Sequence, residues 1–392
     1  VPEGTDVRIV IGTIDVTVQT AADGTWSYTL TPEQVATLPE GTSAVVVTTV
    51  TTANGPVSSE QPLGIYTTLP TPTIEPAFGD GRLSTAEAAT AQTLTGTTGL
   101  TGDGQTVTVS IAGQNYTGTV ATDGTWTVTI PSDSLKALPA DVDNILVTVT
   151  DAAGNGGTVN GSVAVDFTAP TLSVALVSGD NAINATEILG AVELTGTASP
   201  EDAGQFVQLT FNNVTYTAQV QPDGSWTTNI PAGDLTGLQN GNYILNASLT
   251  DLAGNTTTLP VTIAIATTLP TPSITAPFGD GYLNALEAGS DQIITGSTGA
   301  TGPGQTVSVT FAGETYNTTA DAQGQWSITI ASTALENLTD DTLPMVVTAT
   351  DAAGNSGTAT NQITVDFTAP ELVIGAVAGD NIINAAEALQ PV

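Results

Sequence analysis

The chain contains no cysteine and no histidine, and only three basic residues, Arg8, Arg82 and Lys136, against 38 aspartates and glutamates. Without thiolate or imidazole there can be no disulfide, no zinc or copper site of the usual kind, and no nucleophilic triad or dyad built on His or Cys. The formal net charge of −35 excludes nucleic acid and anionic membrane surfaces as partners, because both would repel the chain. No run of about 18 apolar residues occurs, so no membrane-spanning helix and no direct insertion are expected. No signal peptide is visible at Val1, which falls in mid-pattern, so a piece of a longer protein is expected. The lack of disulfides does not place the chain in the cytosol, since secreted bacterial proteins often manage without them. Carboxylates remain as the strong ligands, and hard oxygen donors suit Ca²⁺ best.

What is present is periodic. Trp26, Trp126, Trp226 and Trp326 stand one hundred residues apart. Asp80, Asp180, Asp280 and Asp380 keep the same interval, as do Glu87, Glu187, Glu287 and Glu387. A fixed period of a domain's length implies one folding unit copied in tandem.

Thr, Val, Ile, Gly and Asn dominate, with apolar–polar alternation throughout, which is a β composition. In the unit 170–269 the alternation predicts strands over Leu172–Val177, Val192–Thr197, Phe206–Phe211, Thr215–Val220, Trp226–Ile230, Tyr243–Thr250 and Thr257–Ala266. Turn residues separate them, among them Asn212-Asn213, Asn240-Gly241 and Ala253-Gly254-Asn255. Seven short strands in a hundred residues read as an immunoglobulin-like sandwich. The expected fold is therefore all-β, with tandem immunoglobulin-like β-sandwich domains arranged head to tail as an extended rod. Helix is expected only after the Trp strand, as one capped turn at Thr31–Leu38 or Ser132–Leu138 whose leucines plug an end of the sandwich. The Trp side chains are expected to face the core, and Tyr116, Tyr216 and Tyr316 to cover a sandwich edge.

Two linkers alternate. Asp166-Phe-Thr-Ala-Pro170 recurs at Asp366–Pro370, and Thr67-Thr-Leu-Pro-Thr-Pro72 recurs at Thr267–Pro272. Both are short and contain proline, so they are semi-rigid. The boundaries that follow are 1–69, a partial domain without its first strands; 70–169, 170–269 and 270–369, three whole domains; and 370–392, the start of another. Ends of neighbouring molecules could complete each other by strand addition.

Two acidic loops recur in each unit. The first runs Gly179-Asp180-Asn-Ala-Ile-Asn184-Ala-Thr-Glu187, with copies holding Asp280, Asn284 and Glu287, and Asp380, Asn384 and Glu387. The copy with Asp80 and Glu87 replaces Asn by Ser84 and adds Arg82. The second is Asp151-Ala-Ala-Gly-Asn155, with copies beginning at Asp251 and Asp351. By itself it is a hairpin turn in which Gly and Asn accept positive φ. Counting strands through a sandwich puts the first loop at the far pole and the second at the near pole. Head-to-tail stacking then gathers Asp80, Glu87, Asp166 and Asp251 at the 166–170 junction. At 267–272 it gathers Asp180, Asn184, Glu187 and Asp351, with no linker aspartate. Asp366 belongs to the junction after Asp280, Asn284 and Glu287, and Asp151 to the first junction. Carboxylates so close repel unless a cation lies among them, so Ca²⁺ is expected at every junction. At an affinity of about 10⁻⁴–10⁻³ M such sites fill outside the cell and stay empty inside it.

The combination Asp-x-Thr-Ala-Pro, Gly-Asp-Asn-x-Ile-Asn-x-x-Glu and Thr-Asp-Ala-Ala-Gly-Asn resembles the bacterial immunoglobulin-like extender domains of large type I-secreted, RTX-type adhesins of Gram-negative bacteria. That resemblance implies a surface-exposed, Ca²⁺-stiffened spacer holding an adhesive tip away from the cell, in attachment or biofilm formation. The Thr-Thr-Leu-Pro-Thr-Pro linkers depart from the family's Asp-containing junction. No enzyme is expected, since paired carboxylates would have to be copied at every docking surface. The alternatives are a sugar- or protein-binding adhesive module, or a subunit of a matrix fibre with lateral self-association.

Overall fold

A computed structural model describes residues 1–391, so the last residue of the 370–392 segment lies outside them. Four separate hydrophobic cores lie along the chain, each within one hundred-residue repeat: Val7–Ile65, Ala77–Val165, Val177–Ile265 and Phe278–Val365.

The third repeat shows the plan. One sheet has three antiparallel strands in the order Leu172–Val174, Val192–Ala198, Ser225–Ile230. The other has five, in the order Ala182–Asn184, Thr256–Ala266, Gly241–Thr250, Phe206–Phe211, Val214–Gln219. Alternate residues of both sheets face inward, as their period of two requires, so Leu194, Val207, Leu209, Trp226, Leu245 and Ile263 are buried in one core. The fourth repeat has the same two sheets. In the second repeat, pairing of Thr119 with Thr127 and Val120 with Trp126 joins both into one seven-stranded sheet.

Six of the seven expected strands match the observed ones to within about two residues; the first stops at Val174, three residues early. An eighth, Ala182–Asn184, was not expected. It lies inside the acidic loop and runs parallel to the last strand, Ile183 opposite Ile265. The post-Trp turns are present at Pro32–Val35, Ser132–Lys136, Ala232–Leu235 and Ser332–Leu335, and Leu135, Leu235 and Leu335 are fully buried. Further short helices, Thr85–Ala88 and Ala285–Ala288, sit in acidic loops.

The tryptophans face inward with exposures of 1%, 2% and 3% at Trp126, Trp226 and Trp326. Each ring lies over a glycine on the neighbouring strand, Gly196 opposite Trp226. A Cβ at Gly196 would stand 2.0 Å from the Ser173 carbonyl oxygen and 2.3 Å from the ring, so the indole needs that glycine's bareness. Trp26 differs: it is 40% exposed and lies outside any strand. Residues 1–69 contain no counterpart of the strand Gln92–Thr97 that pairs with Trp126, and their sheet has four strands.

Candidate functional site

The two acidic loops meet where repeats join. At 166–170 the far-pole loop of the second repeat contacts the near-pole turn of the third through Asn255. Its side-chain Nδ2 donates to the Asp166 carbonyl oxygen at 2.9 Å and to Asp251 Oδ2 at 2.9 Å, and its Oδ1 accepts the Thr85 amide at 3.0 Å. At 267–272 Asn355 repeats the arrangement, donating to the Ala266 carbonyl and Asp351 Oδ2 and accepting the Ala185 amide. Asn184 adds a bond from Nδ2 to the Ala353 carbonyl at 3.0 Å. At 67–72 Asn155 donates to the Tyr66 carbonyl and to Asp151 Oδ2. Asn255 and Asn355 are buried, and each satisfies groups of three chain segments at once.

These asparagines are the functional residues that sequence reasoning missed. The turn was read as needing positive φ at Gly and Asn, but the left-handed residues are Gly154, Gly254 and Gly354 alone. Asn is kept at the next position for its amide, and its recurrence at Asn155, Asn255 and Asn355 was the available signal.

Most of the expected ligands are engaged locally. Asp80, Asp180, Asp280 and Asp380 each accept, through Oδ1, the backbone amide two residues on, and those bonds stay within their own loops. Glu87, Glu187, Glu287 and Glu387 each accept the amide of residue 84, 184, 284 or 384. Ser84 and Asn284 complete reciprocal capping boxes with Glu87 and Glu287, and Asn384 likewise accepts the Glu387 amide. Asp151, Asp251 and Asp351 accept the amides of residues +2 and +4. Burial pushes the Asp151 carboxyl up, but hydrogen bonds from Asn155, Ala153 and Gly154 outweigh it and hold it below the usual range. Asp166 and Asp366 accept the Thr168 and Thr368 amides. The junction thus brings Asp166, Asp251 and the Ser84–Glu87 cap together, and Asn184, Glu187 and Asp351 likewise, through asparagine bridges. Among the described residues no three carboxylates stand close enough to hold a metal as they are.

Asp202, in the third repeat's Pro200–Asp202 turn, was also missed. It is 5% exposed and its Oδ2 has no hydrogen-bond partner. Burial first, then the charges of Asp251, Glu201 and Asp166, pushes its carboxyl above the ordinary range. A buried, half-satisfied carboxylate facing two others is costly unless something neutralises it. Its oxygen and its neighbours' are hard donors of the kind Ca²⁺ takes.

The linkers are seated too. Pro70 and Pro270 lay their carbonyls against Gly157 and Gly357, where a Cβ would come within 2.1 and 1.9 Å. Thr257 instead donates to the Pro170 carbonyl. Three linkers are also clamped by the unit before them: Glu40 accepts from Thr67 and Thr68, Asn240 bonds Thr267 and Thr268, and Asp340 accepts from Phe367 and Thr368. The fourth has Ala140 at that position.

The family model for the bacterial Ig-like domain matches residues 173–267 and 294–367. A Ca²⁺-stabilized adhesin that helps an Antarctic bacterium reach out and bind ice is 31% identical, covering 93% of this chain and 91% of its own, with a TM-score of 0.37. A 1.5-MDa bacterial ice-binding adhesin is 30% identical over 77% of this chain and 100% of its own, with a TM-score of 0.36. A tetra-tandem repeat from the extending region of a large adhesion protein is 24% identical over 94% and 93%, with a TM-score of 0.39. No curated protein matches. The chain belongs to the bacterial immunoglobulin-like domains, as tandem all-β repeats. It is homologous to the repeats of large bacterial adhesins. Among the described residues no helix is long and apolar enough to cross a membrane.

Proposed function

We propose that this chain is a spacer segment of a large, type I-secreted, RTX-type adhesin on a bacterial surface, with no catalytic role. Each hundred-residue repeat is one domain, and Ca²⁺ at domain junctions turns a hinged string into a strut that carries an adhesive tip outward for attachment or biofilm formation. The observation that carries the reading is the docking of the far-pole loop on the next repeat's near-pole turn through Asn255 and Asn355. It concentrates acidic loops where repeats touch. The Ca²⁺-stabilized relative supports the choice of ion.

At millimolar extracellular Ca²⁺ the sites fill, and inside the cell they stay empty, which keeps the chain loose for export. The net charge of −35 keeps neighbouring copies apart. Calorimetric titration of the whole chain is expected to show near-stoichiometric Ca²⁺ uptake; a flat titration through the millimolar range overturns the reading.

A further inference from the structure

The far-pole corners of the repeats share one plan but are filled differently. In the third repeat Phe211 ends one strand and Tyr243 stands on its neighbour, with ring centroids 5.8 Å apart. In the fourth, Phe311 meets Phe278 at 5.8 Å. The second repeat has Ile111 in place of Phe211 and Asp143 in place of Tyr243. It also has Gln114 where the first and third repeats have Ile14 and Val214. Gln114 pairs directly with Ile111 across the hairpin, so both belong to the inner face. With the aromatic filling replaced, a cavity of about 500 Å³ lies at this corner, lined by Ile111, Gln114, Tyr116, Asp133, Ser134 and Leu138 among others.

The cavity's polar groups have no task inside the repeat. In the third repeat the Tyr216 hydroxyl donates to Asp234 Oδ2 at 2.8 Å. The second repeat has Ser134 at that position. Among the described residues, the Tyr116 hydroxyl and the side chains of Gln114, Asp133 and Ser134 bond to nothing in the chain. On the adjoining strand Asp143 Oδ2 is buried without a partner. Inward-facing polar groups left unpaired destabilise a fold, so their presence here calls for a ligand that pairs with them. Tyr116 stands opposite Val109 and packs partly on the core, which fixes its ring as one wall. The next repeat is bonded through Thr85 and Asp166, neither of which lines the cavity.

We propose that this cavity of the second repeat binds a neutral pyranose, either a free sugar or the end of a glycan. Its volume falls within the roughly 300–1,000 Å³ of small-molecule sites. A pyranose has an apolar C–H face and a rim of hydroxyls, and the cavity offers a counterpart to each. The Tyr116 ring, Ile111 and Leu138 take the apolar face. The Asp133 carboxylate and the Gln114 carbonyl accept sugar hydroxyls, while Ser134, Tyr116 and the Gln114 amide donate. A hydrocarbon would leave these polar groups unpaired, and a bare cation would leave the apolar floor unused. The net charge of −35 disfavours acidic sugars. The proposal goes beyond the spacer reading and does not depend on it: one repeat of the string also grips glycan.

The test titrates the whole chain by saturation-transfer NMR with the methyl pyranosides of glucose, galactose, mannose and N-acetylglucosamine. N-acetylneuraminic acid serves as the anionic comparison. At least one neutral pyranoside is expected to bind in the millimolar range, and the acidic sugar is not. Asp133→Ala, a change at an exposed position, should weaken binding by roughly 10- to 100-fold, as loss of a charged hydrogen-bond partner does. Ile111→Phe introduces the filling of the third repeat and should abolish binding, with the near-ultraviolet circular dichroism of the folded chain retained. Failure of every neutral pyranoside to bind overturns the proposal, as does equal binding of the acidic sugar. Binding left unaltered by Asp133→Ala also overturns it, whether or not Ile111→Phe folds.

Discussion

Replacing Trp226 by alanine will cost the third repeat about 3–5 kcal/mol, as truncation of a core aromatic does. The ring is buried and rests on Gly196, whose missing side chain makes the room. Nothing adjacent can fill the void, because the surrounding Leu194, Val207 and Leu209 are themselves fully buried. Against a domain stability of about 5–15 kcal/mol the loss is large. In scanning calorimetry one transition should split off and move to lower temperature while the others stay. An unshifted set of transitions would mean that the ring on its glycine is not what organises the repeat.

Asn255→Ala will uncouple the second and third repeats. It removes the bond from the Thr85 amide and both bonds donated by Nδ2, leaving the Asp166 carbonyl and Asp251 Oδ2 without that partner. Each orphaned group, half-buried at the joint, costs up to about 1–3 kcal/mol. The readout is hydrogen exchange at the Thr85 amide, expected to quicken by roughly 5- to 150-fold, with the Ala185 amide unchanged because Asn355 still caps it. Unchanged exchange at Thr85 would show that the two repeats hold together by other means.

The sandwich was legible because alternation and turn residues are local signals. The Leu172–Ala266 strands follow from side chains that point alternately in and out. The same locality explains the errors. Ser84-Thr-Ala-Glu87 is a capping box, and reading Glu87 as a ligand passed over its nearer role, accepting the Ser84 amide. The strand Ala182–Asn184 exists only because Thr256–Ala266 lies beside it, a contact the local pattern does not encode. Asp202 escaped because it does not recur: its counterparts are Gly102 and Gly302, and a search for period favours what every copy shares. Its importance emerges only from burial and from the charges that face it across the joint.

Small-angle scattering of the whole chain, in millimolar Ca²⁺ and then in excess chelator, tests the central claim most directly. Ca²⁺ that stiffens the domain junctions predicts a longer maximum dimension and a narrower distance distribution with Ca²⁺, both lost on chelation. Identical profiles in the two conditions would contradict it.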